Sequence, residues 1–354
     1  MGPAATSTLA IGVITNPNSR KNVGRADRAG ELQQILGGRG VVRQTRSTAE
    51  LADVLDEFRE RGVRTWVTDG GDGSLHWLLN TASERFGGPA ELAREVEWAV
   101  PANGGTIDFV ARHVGLRGGA EDILRALVRL DAEGRRPETI RVPTLLLRGV
   151  REDAAGERSP FQRLGFAATF SGIASGFFDK YYAHPSGGGP RAIVGVMARA
   201  VVAVLVDGSP ARRLAPGWSD YARVVRGEAE GRVWVDGQEL PYRRLSAFNV
   251  GAFPIDLGGV VKVFGQARPG RPHVIAGTLS DLSMIRNVPR LVRGKSLRSS
   301  TVHDAPAAHV RAEALGRPFR AVVDGEFVDG IRELELTSGP TVEIPRLDAK
   351  AARR

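Results

Sequence analysis

The sequence predicts an α/β protein of two domains, an N-terminal α/β domain built on a parallel sheet followed by a β-rich C-terminal domain. Three observations carry that expectation. The chain has 354 residues, more than twice the roughly 150 of a typical domain. Its first third alternates short β-type runs with longer helical patterns, as a parallel sheet covered by helices requires. After Glu133-Gly134-Arg135-Arg136-Pro137 the texture changes to β-type runs separated by Gly, Pro and Asp. The boundary is therefore placed between residues 1–137 and 138–354, with a return of the final strands to the first domain left open.

In the first domain, Leu9–Thr15, Val41–Thr45, Val63–Thr68 and Val96–Pro101 read as strands, rich in Val and Ile and each closed by polar, Gly or Pro residues. Between and after them, Arg25–Leu36, Ala49–Arg61, Ser74–Ala82 and Asp122–Leu130 read as helices; Leu51, Val54, Leu55 and Phe58 show the helical spacing. In the second domain the expected strands are Thr139–Arg148, Gln162–Ser171, Tyr221–Arg226, Gly231–Val235, Leu245–Val250, Val260–Val263 and Phe319–Val323. Ile193–Val206 and Leu279–Leu291 are the expected helices there, and Gly187-Gly188-Gly189-Pro190 reads as a loop.

Apolar residues make up 42% and charged ones 25%, a globular balance. Cysteine is absent, which excludes disulfides, a thiolate nucleophile and Cys-ligated metal centres. The formal net charge is +9, and only Lys21, Lys180, Lys262, Lys295 and Lys350 among the basic residues are lysine. Arginine's planar fork suits phosphate, so the excess points to an anionic partner: nucleotide, nucleic acid or lipid surface. No basic segment precedes Leu9–Thr15, and Ala192–Val206, interrupted by Arg199, is shorter than the ~20 residues of a membrane span. The expectation is a soluble, cytoplasmic or peripherally membrane-associated protein. Met1–Thr6 also fits a myristoylation pattern, a short one that arises by chance.

The most informative segment is Val67-Thr68-Asp69-Gly70-Gly71-Asp72-Gly73-Ser74-Leu75-His76, where a strand runs into glycines and a helix begins near Ser74. Glycines let backbone N–H groups approach an anion, and the first turn of a helix presents unpaired N–H groups at the positive end of its dipole. Asp72 repels phosphate unless Mg²⁺ or a substrate hydroxyl lies between, so it is a candidate metal-linked carboxylate or general base, or else an ordinary helix cap. A second strand end, Val100-Pro101-Ala102-Asn103-Gly104-Gly105-Thr106-Ile107-Asp108-Phe109, repeats the arrangement. The first strand ends in Thr15-Asn16-Pro17-Asn18-Ser19-Arg20-Lys21, a polar turn with two cations. Loops at neighbouring strand ends of an open α/β sheet face one crevice, where such sheets bind ligands.

Downstream, Val322-Val323-Asp324-Gly325-Glu326 sets two carboxylates two residues apart, and Asp-Gly is also the standard hairpin signal, shared by Asp236-Gly237 and Asp329-Gly330. Gly294-Lys295-Ser296 lacks the leading glycine of a P-loop, since residue 289 is Pro289. The six histidines have no metal-site spacing, and no motif interleaves aromatics with basic residues, so nucleic acid is not indicated.

Asn16-Pro17, Gly70-Gly71-Asp72-Gly73-Ser74, Gly105-Thr106 and Asp324-Gly325-Glu326, in this order, resemble the diacylglycerol kinase catalytic family, which includes bacterial diacylglycerol kinases and sphingosine kinases, with NAD kinases more distant. Pro289–Lys295 is similar to a further segment of these enzymes. The resemblance implies an NAD-kinase-like α/β domain and a C-terminal β-sandwich with ATP bound between them, and Mg²⁺-dependent transfer of the γ-phosphoryl to a lipid hydroxyl, diacylglycerol by default. It implies that Gly70, Gly71, Gly73 and Ser74 hold the phosphates, that Asn16, Gly105 and Thr106 complete the nucleotide site, and that Asp324, Asp72 and Glu326 supply base and metal functions, Asp324 and Glu326 holding the metal. A sphingoid acceptor, a soluble acceptor such as NAD, and a silent nucleotide- or lipid-binding protein are the alternatives.

The second loop departs from the family pattern P-x-G-T-x-N-D-F-A-R. Aligned without gaps after Gly105, Asp108 takes the Asn place and Phe109 the Asp place; a one-residue slip keeps Asp108-Phe109 and puts Ile107 at the Asn. Either alignment changes a polar contact beside the nucleotide. Leu282–Arg298 interleaves Leu282, Ile285, Leu291 and Leu297 with Arg286, Arg290, Arg293, Lys295 and Arg298. Arg286, Arg290 and Arg293 are the candidates to face an anionic membrane, against the reading of a solvated helix cut by Pro289. Phe166, Phe170, Phe177 and Phe178 are candidates to line an apolar pocket or to pack the core.

Overall fold

The structure, a computed structural model, describes residues 10–19, 21–184 and 189–347. The myristoylation pattern, Leu9, Arg20, Gly187 and Gly188 lie outside the described residues. The chain divides into two compact units, Met1–Val142 with Pro340–Arg354, and Pro143–Gly339.

The first unit runs β1 Ile11–Thr15, α1 Arg28–Leu36, β2 Gly40–Gln44, α2 Thr48–Glu60, β3 Thr65–Asp69, α3 Asp72–Arg85, α4 Leu92–Glu95, β4 Trp98–Pro101, α5 Phe109–His113 and α6 Ala120–Ala132. All four strands are parallel, in the order β2-β1-β3-β4. Every residue of β1, β3 and β4 is buried, the signature of a parallel sheet covered on both faces. α2 and α3 pack on each other, and the right-handed rule for parallel crossovers assigns them to the face opposite α1. Ser47 caps α2 by accepting from the Glu50 N–H, and α2 buries Leu51, Leu55 and Phe58. The Phe58 ring lies where a Cβ on Gly12 would sit, so helix and sheet approach closely there. Because the chain leaves β1 toward β2 and returns past it to β3, the order reverses between β1 and β3, and the carboxyl ends of the strands at such a reversal are where open α/β sheets bind ligands.

The second unit continues through β5 Thr139–Glu152, β6 Arg158–Gly165, β7 Ala167–Gly172, α7 Ile173–Tyr182, α8 Pro190–Asp207 and α9 Pro216–Arg226. Short strands follow: β8 Ala229–Val235, β9 Gln238–Glu239, β10 Arg244–Leu245, β11 Ala247–Gly251, β12 Ile255–Leu257, β13 Val261–Val263 and β14 His273–Gly277. The chain ends with α10 Asp281–Val292, β15 Val302–Pro306, β16 His309–Ala314, β17 Phe319–Val323 and β18 Glu326–Pro345. The strands form an antiparallel sheet in the order β10-β8-β16-β18-β17-β7-β11-β14-β15, with β5 and β6 joined at β18 and β9 at β8. The chain changes unit inside β5, after Val142, and inside β18, after Gly339. Among the described residues no helix is long and apolar enough to cross a membrane.

Several expectations are corrected. Tyr221–Arg226, read as a strand, is the end of α9: Pro216 starts the helix, and Tyr221, Ala222 and Val225 share a helical face that packs with Ala203 and Val204 of α8. Gln162–Ser171 is two strands parted at Phe166, where the N–H groups of Phe166 and Ala167 turn from the ladder to the Asp324 carboxylate. Pro289 does not cut its helix; α10 runs through it, and proline forfeits one intrahelical hydrogen bond. Asp236-Gly237 is a hairpin turn between β8 and β9 as its composition predicts, whereas Asp329-Gly330 lies within β18. The helix α7 and the strands β14, β15 and β16 were not expected.

Candidate functional site

The loops after β1, β3 and β4 meet at the carboxyl ends of adjacent strands. The Gly104 N–H donates to the Gly70 carbonyl at 3.1 Å, and Ala102 N–H to the Thr68 carbonyl at 3.0 Å. A Cβ on Gly71 would stand 2.6 Å from the Gly105 Cα, and one on Gly104 2.7 Å from the Gly70 carbonyl carbon. These glycines are therefore required first for backbone to pass against backbone. The packing brings together Gly70, Gly71, Gly104 and Gly105; Gly73 and Ser74 lie in the first turn of α3, where the Ser74 N–H donates to the Gly71 carbonyl at 3.0 Å.

Asp72 is the first residue of α3, and its carboxylate caps a different helix: Oδ2 accepts from Phe109 N–H at 2.9 Å and Oδ1 from Val110 N–H at 3.2 Å, both at the start of α5. Asp108 holds a left-handed conformation, φ 50°, and its Oδ1 accepts from Gly105 N–H at 2.8 Å. Burial pushes the Asp108 carboxyl up, opposed by the Gly105 N–H, Lys21 and Arg112. The departure from the family pattern thus falls on a side chain that folds back on its own loop. Thr106 lies in the same loop.

Asn16 shapes the first loop, its Oδ1 accepting from Asn18 N–H at 2.9 Å and its carbonyl from Ser19 N–H at 3.1 Å. Lys21 Nζ donates to the Asn103 carbonyl, tying the first loop to the third. Beneath the loops lies a network that the sequence reading missed. The Asp69 carboxylate, 3% exposed, accepts from Arg28 Nε at 2.8 Å, Arg28 Nη2 at 2.9 Å, Thr15 Oγ1 at 2.9 Å and Asn22 Nδ2 at 3.0 Å. Arg28 also donates to Glu121 on α6, and that hydrogen bond takes the Glu121 carboxyl down to about 2. The position of Asp69, immediately before the glycines, was the available signal; Arg28 reads in sequence as an ordinary helical surface residue.

Ser19 Oγ and Thr68 Oγ1 are buried beside these loops and have no hydrogen-bond partner among the described residues. With a lysine tying the loops and the first turn of the 14-residue α3 opening among them, the donor set suits an anion.

In the second unit, Asp324 and Gly325 form the two-residue turn between β17 and β18, with φ of 53° and 97° and Val323 paired to Glu326. Asp324 Oδ1 accepts from Phe166 N–H at 2.8 Å and Ala167 N–H at 2.9 Å. Tyr182, at the end of α7, donates its hydroxyl to the Gly325 carbonyl at 2.9 Å and meets the Phe327 ring edge to face. Phe177, Phe178 and Tyr181 extend this aromatic group. Phe166 and Phe170 pack instead in the core, against Phe253 and Phe248. Glu326 opens β18, half-buried. Among the described residues no three His, Cys, Asp or Glu side chains gather into a metal cage. A pair such as Asp324 and Glu326 suits Mg²⁺, which takes one or two carboxylates and completes its shell with phosphate and water. Arg286 and Arg293 on and after α10 are exposed; Arg290 is half-buried, its Nε donating to the Ser296 carbonyl at 2.7 Å.

Residues 10–137 match the family model of the diacylglycerol kinase catalytic domain. A crystal structure of a Bacillus anthracis str. Sterne protein assigned as a diacylglycerol kinase is 13% identical with a TM-score of 0.59, covering 94% of this chain and 95% of that one. A second structure, a diacylglycerol kinase from the same organism, is 12% identical with a TM-score of 0.54, covering 94% and 96%. Both establish a shared fold. No curated protein sequence matches.

Proposed function

We propose, from the premise that residues 10–137 carry a diacylglycerol kinase catalytic domain, that this protein is a Mg·ATP-dependent kinase whose acceptor is a lipid hydroxyl, with diacylglycerol as the first candidate. The observation that carries the reading is the junction of three loops at the carboxyl ends of β1, β3 and β4, where Gly104 N–H bonds the Gly70 carbonyl. Phosphoryl transfer asks a protein chiefly for positioning and charge neutralisation. Gly70, Gly71, Gly73 and Ser74 present backbone and hydroxyl donors to the phosphates; Asn16, Gly105 and Thr106 complete the nucleotide seat.

Asp324 takes the acceptor's proton, with Asp72 the second candidate. Asp324 and Glu326 would hold Mg²⁺, which would supply neutralisation of the phosphate charge. Tyr182 and Phe327, exposed beside the Asp324-Gly325 turn, supply an apolar surface suited to a lipid acceptor. The peripheral membrane role belongs in this reading to Arg286, Arg290 and Arg293.

The test is transfer of labelled γ-phosphate from Mg·ATP into an extracted lipid mixture, beside a panel of soluble acceptors and an Asp72→Asn variant, which keeps an acceptor for one of the two α5 amides. A labelled lipid supports the reading and identifies the acceptor by its mobility. Label in a soluble acceptor alone, or ATP binding with no labelled product, overturns it.

A further inference from the structure

The second unit contains a cavity of about 480 Å³ on α10, and the charges that line it are all positive. Leu282, Arg286 and Arg290 follow one another at intervals of four residues, so they share one face of the helix. Arg298 arrives from the segment after the helix. Asn287, buried at 4% exposure, clamps that segment: its Nδ2 donates to the Arg298 carbonyl at 3.2 Å, and its Oδ1 accepts the Arg298 N–H at 2.8 Å. Arg290 is oriented by its Nε bond to the Ser296 carbonyl. Ser280 caps the helix at the cavity's edge by accepting from Ser283 N–H at 3.3 Å.

No carboxylate lines the cavity. The acid at the start of α10, Asp281, is taken by both arms of Arg226, at 3.0 and 2.7 Å. Three arginines thus line one space with no Asp or Glu among the residues lining it, in a protein whose other arginines commonly sit against Asp or Glu. A bound anion relieves the repulsion among the three, and the fork of each guanidinium matches the oxygens of a phosphate.

We propose that Arg286, Arg290 and Arg298 form a binding site for a phosphomonoester dianion. The site is built from residues of the second unit, and the inference does not rest on the kinase reading, because it is read by binding alone. The group reaches the cavity either on a soluble phosphate ester or on a membrane lipid. The exposed Leu282 at its rim is compatible with both.

The test uses the full-length protein and two sets of probes. Inorganic phosphate and glycerol 3-phosphate are titrated by calorimetry, and sedimentation is measured with vesicles containing phosphatidic acid or, at matched charge, phosphatidylglycerol. Arg286→Gln and Arg298→Gln are expected to weaken binding about tenfold or more, whereas Arg268→Gln, the same loss of charge outside the cavity, leaves it unchanged. Binding is expected to tighten as pH rises through about 6, where a phosphomonoester gains its second charge. Binding of the soluble probes supports the site with a soluble source. Binding confined to phosphatidic acid vesicles supports it with a lipid source. Equal binding of phosphatidylglycerol and phosphatidic acid, or Arg286→Gln and Arg298→Gln variants that bind as the unaltered protein does, overturns the proposal.

Discussion

Asp324→Asn separates the turn that Asp324 builds from the proton it is proposed to accept. Asp324 holds φ 53°, a conformation that Asn also tolerates, and its Oδ1 receives the N–H groups of Phe166 and Ala167 at 2.8 and 2.9 Å. The amide keeps an oxygen for both donors but loses the charge. Hydrogen bonds to charged groups contribute about 1.5–3 kcal/mol and neutral ones about 0.5–1.5 kcal/mol, so the pair weakens by about 2 kcal/mol. For a unit the size of Pro143–Gly339, each kcal/mol shifts Tm by about 2–4 °C, so a fall of about 4–8 °C is expected. If Asp324 is the base, kcat for lipid phosphorylation falls by about 10²–10⁴ at a temperature where the variant is fully folded. The assay is initial-rate transfer from Mg·ATP, with Tm read by scanning calorimetry. A variant that shows the Tm shift but keeps kcat within about threefold, far inside the range expected for a lost general base, makes Asp324 a turn residue only and refutes the assignment.

Gly71→Ala places a Cβ 2.6 Å from the Gly105 Cα; the expected cost is about 1–3 kcal/mol of stability, with ATP affinity in calorimetry reduced at least tenfold, and an unchanged affinity contradicts the three-loop seat. Arg28→Met strands the Asp69 carboxylate, 3% exposed, without its cation, and urea unfolding is expected to show a loss of about 3–5 kcal/mol. Glu121 supplies a pH dependence: its carboxyl, held at about 2 by the Arg28 hydrogen bond, ionises below its ordinary value of 4.5. Its contribution is therefore complete above about pH 4.5 and lost as pH falls toward about 2. Urea midpoints of Glu121→Gln should fall less steeply across that window than those of the unaltered protein, and equal slopes contradict the assignment.

The first unit was legible in the sequence because its signals are local. Val-rich runs closed by Gly or Pro, and apolar spacing such as Leu51, Leu55 and Phe58, survive as buried strands and helices. The convergence of the loops after β1, β3 and β4 followed from their places at strand ends. What each polar residue does within the loops was not legible, because it depends on partners far along the chain. Asp72 caps α5, 37 residues on, and Arg28 reaches Asp69 and Glu121. In the second unit the same cause hid more: Tyr221–Arg226 alternates too little to separate strand from helix, and only packing on α8 decides it. The Asp324-Gly325 turn was legible as a hairpin from two residues, but its hold on Phe166 spans 158 positions.

Hydrogen exchange of the full chain with and without Mg·ATP tests the nucleotide seat most directly. The account predicts slowed exchange in peptides spanning 16–22, 70–76 and 102–110, with Gly71→Ala losing that protection. ATP binding that slows exchange elsewhere and leaves these three segments unchanged would contradict it.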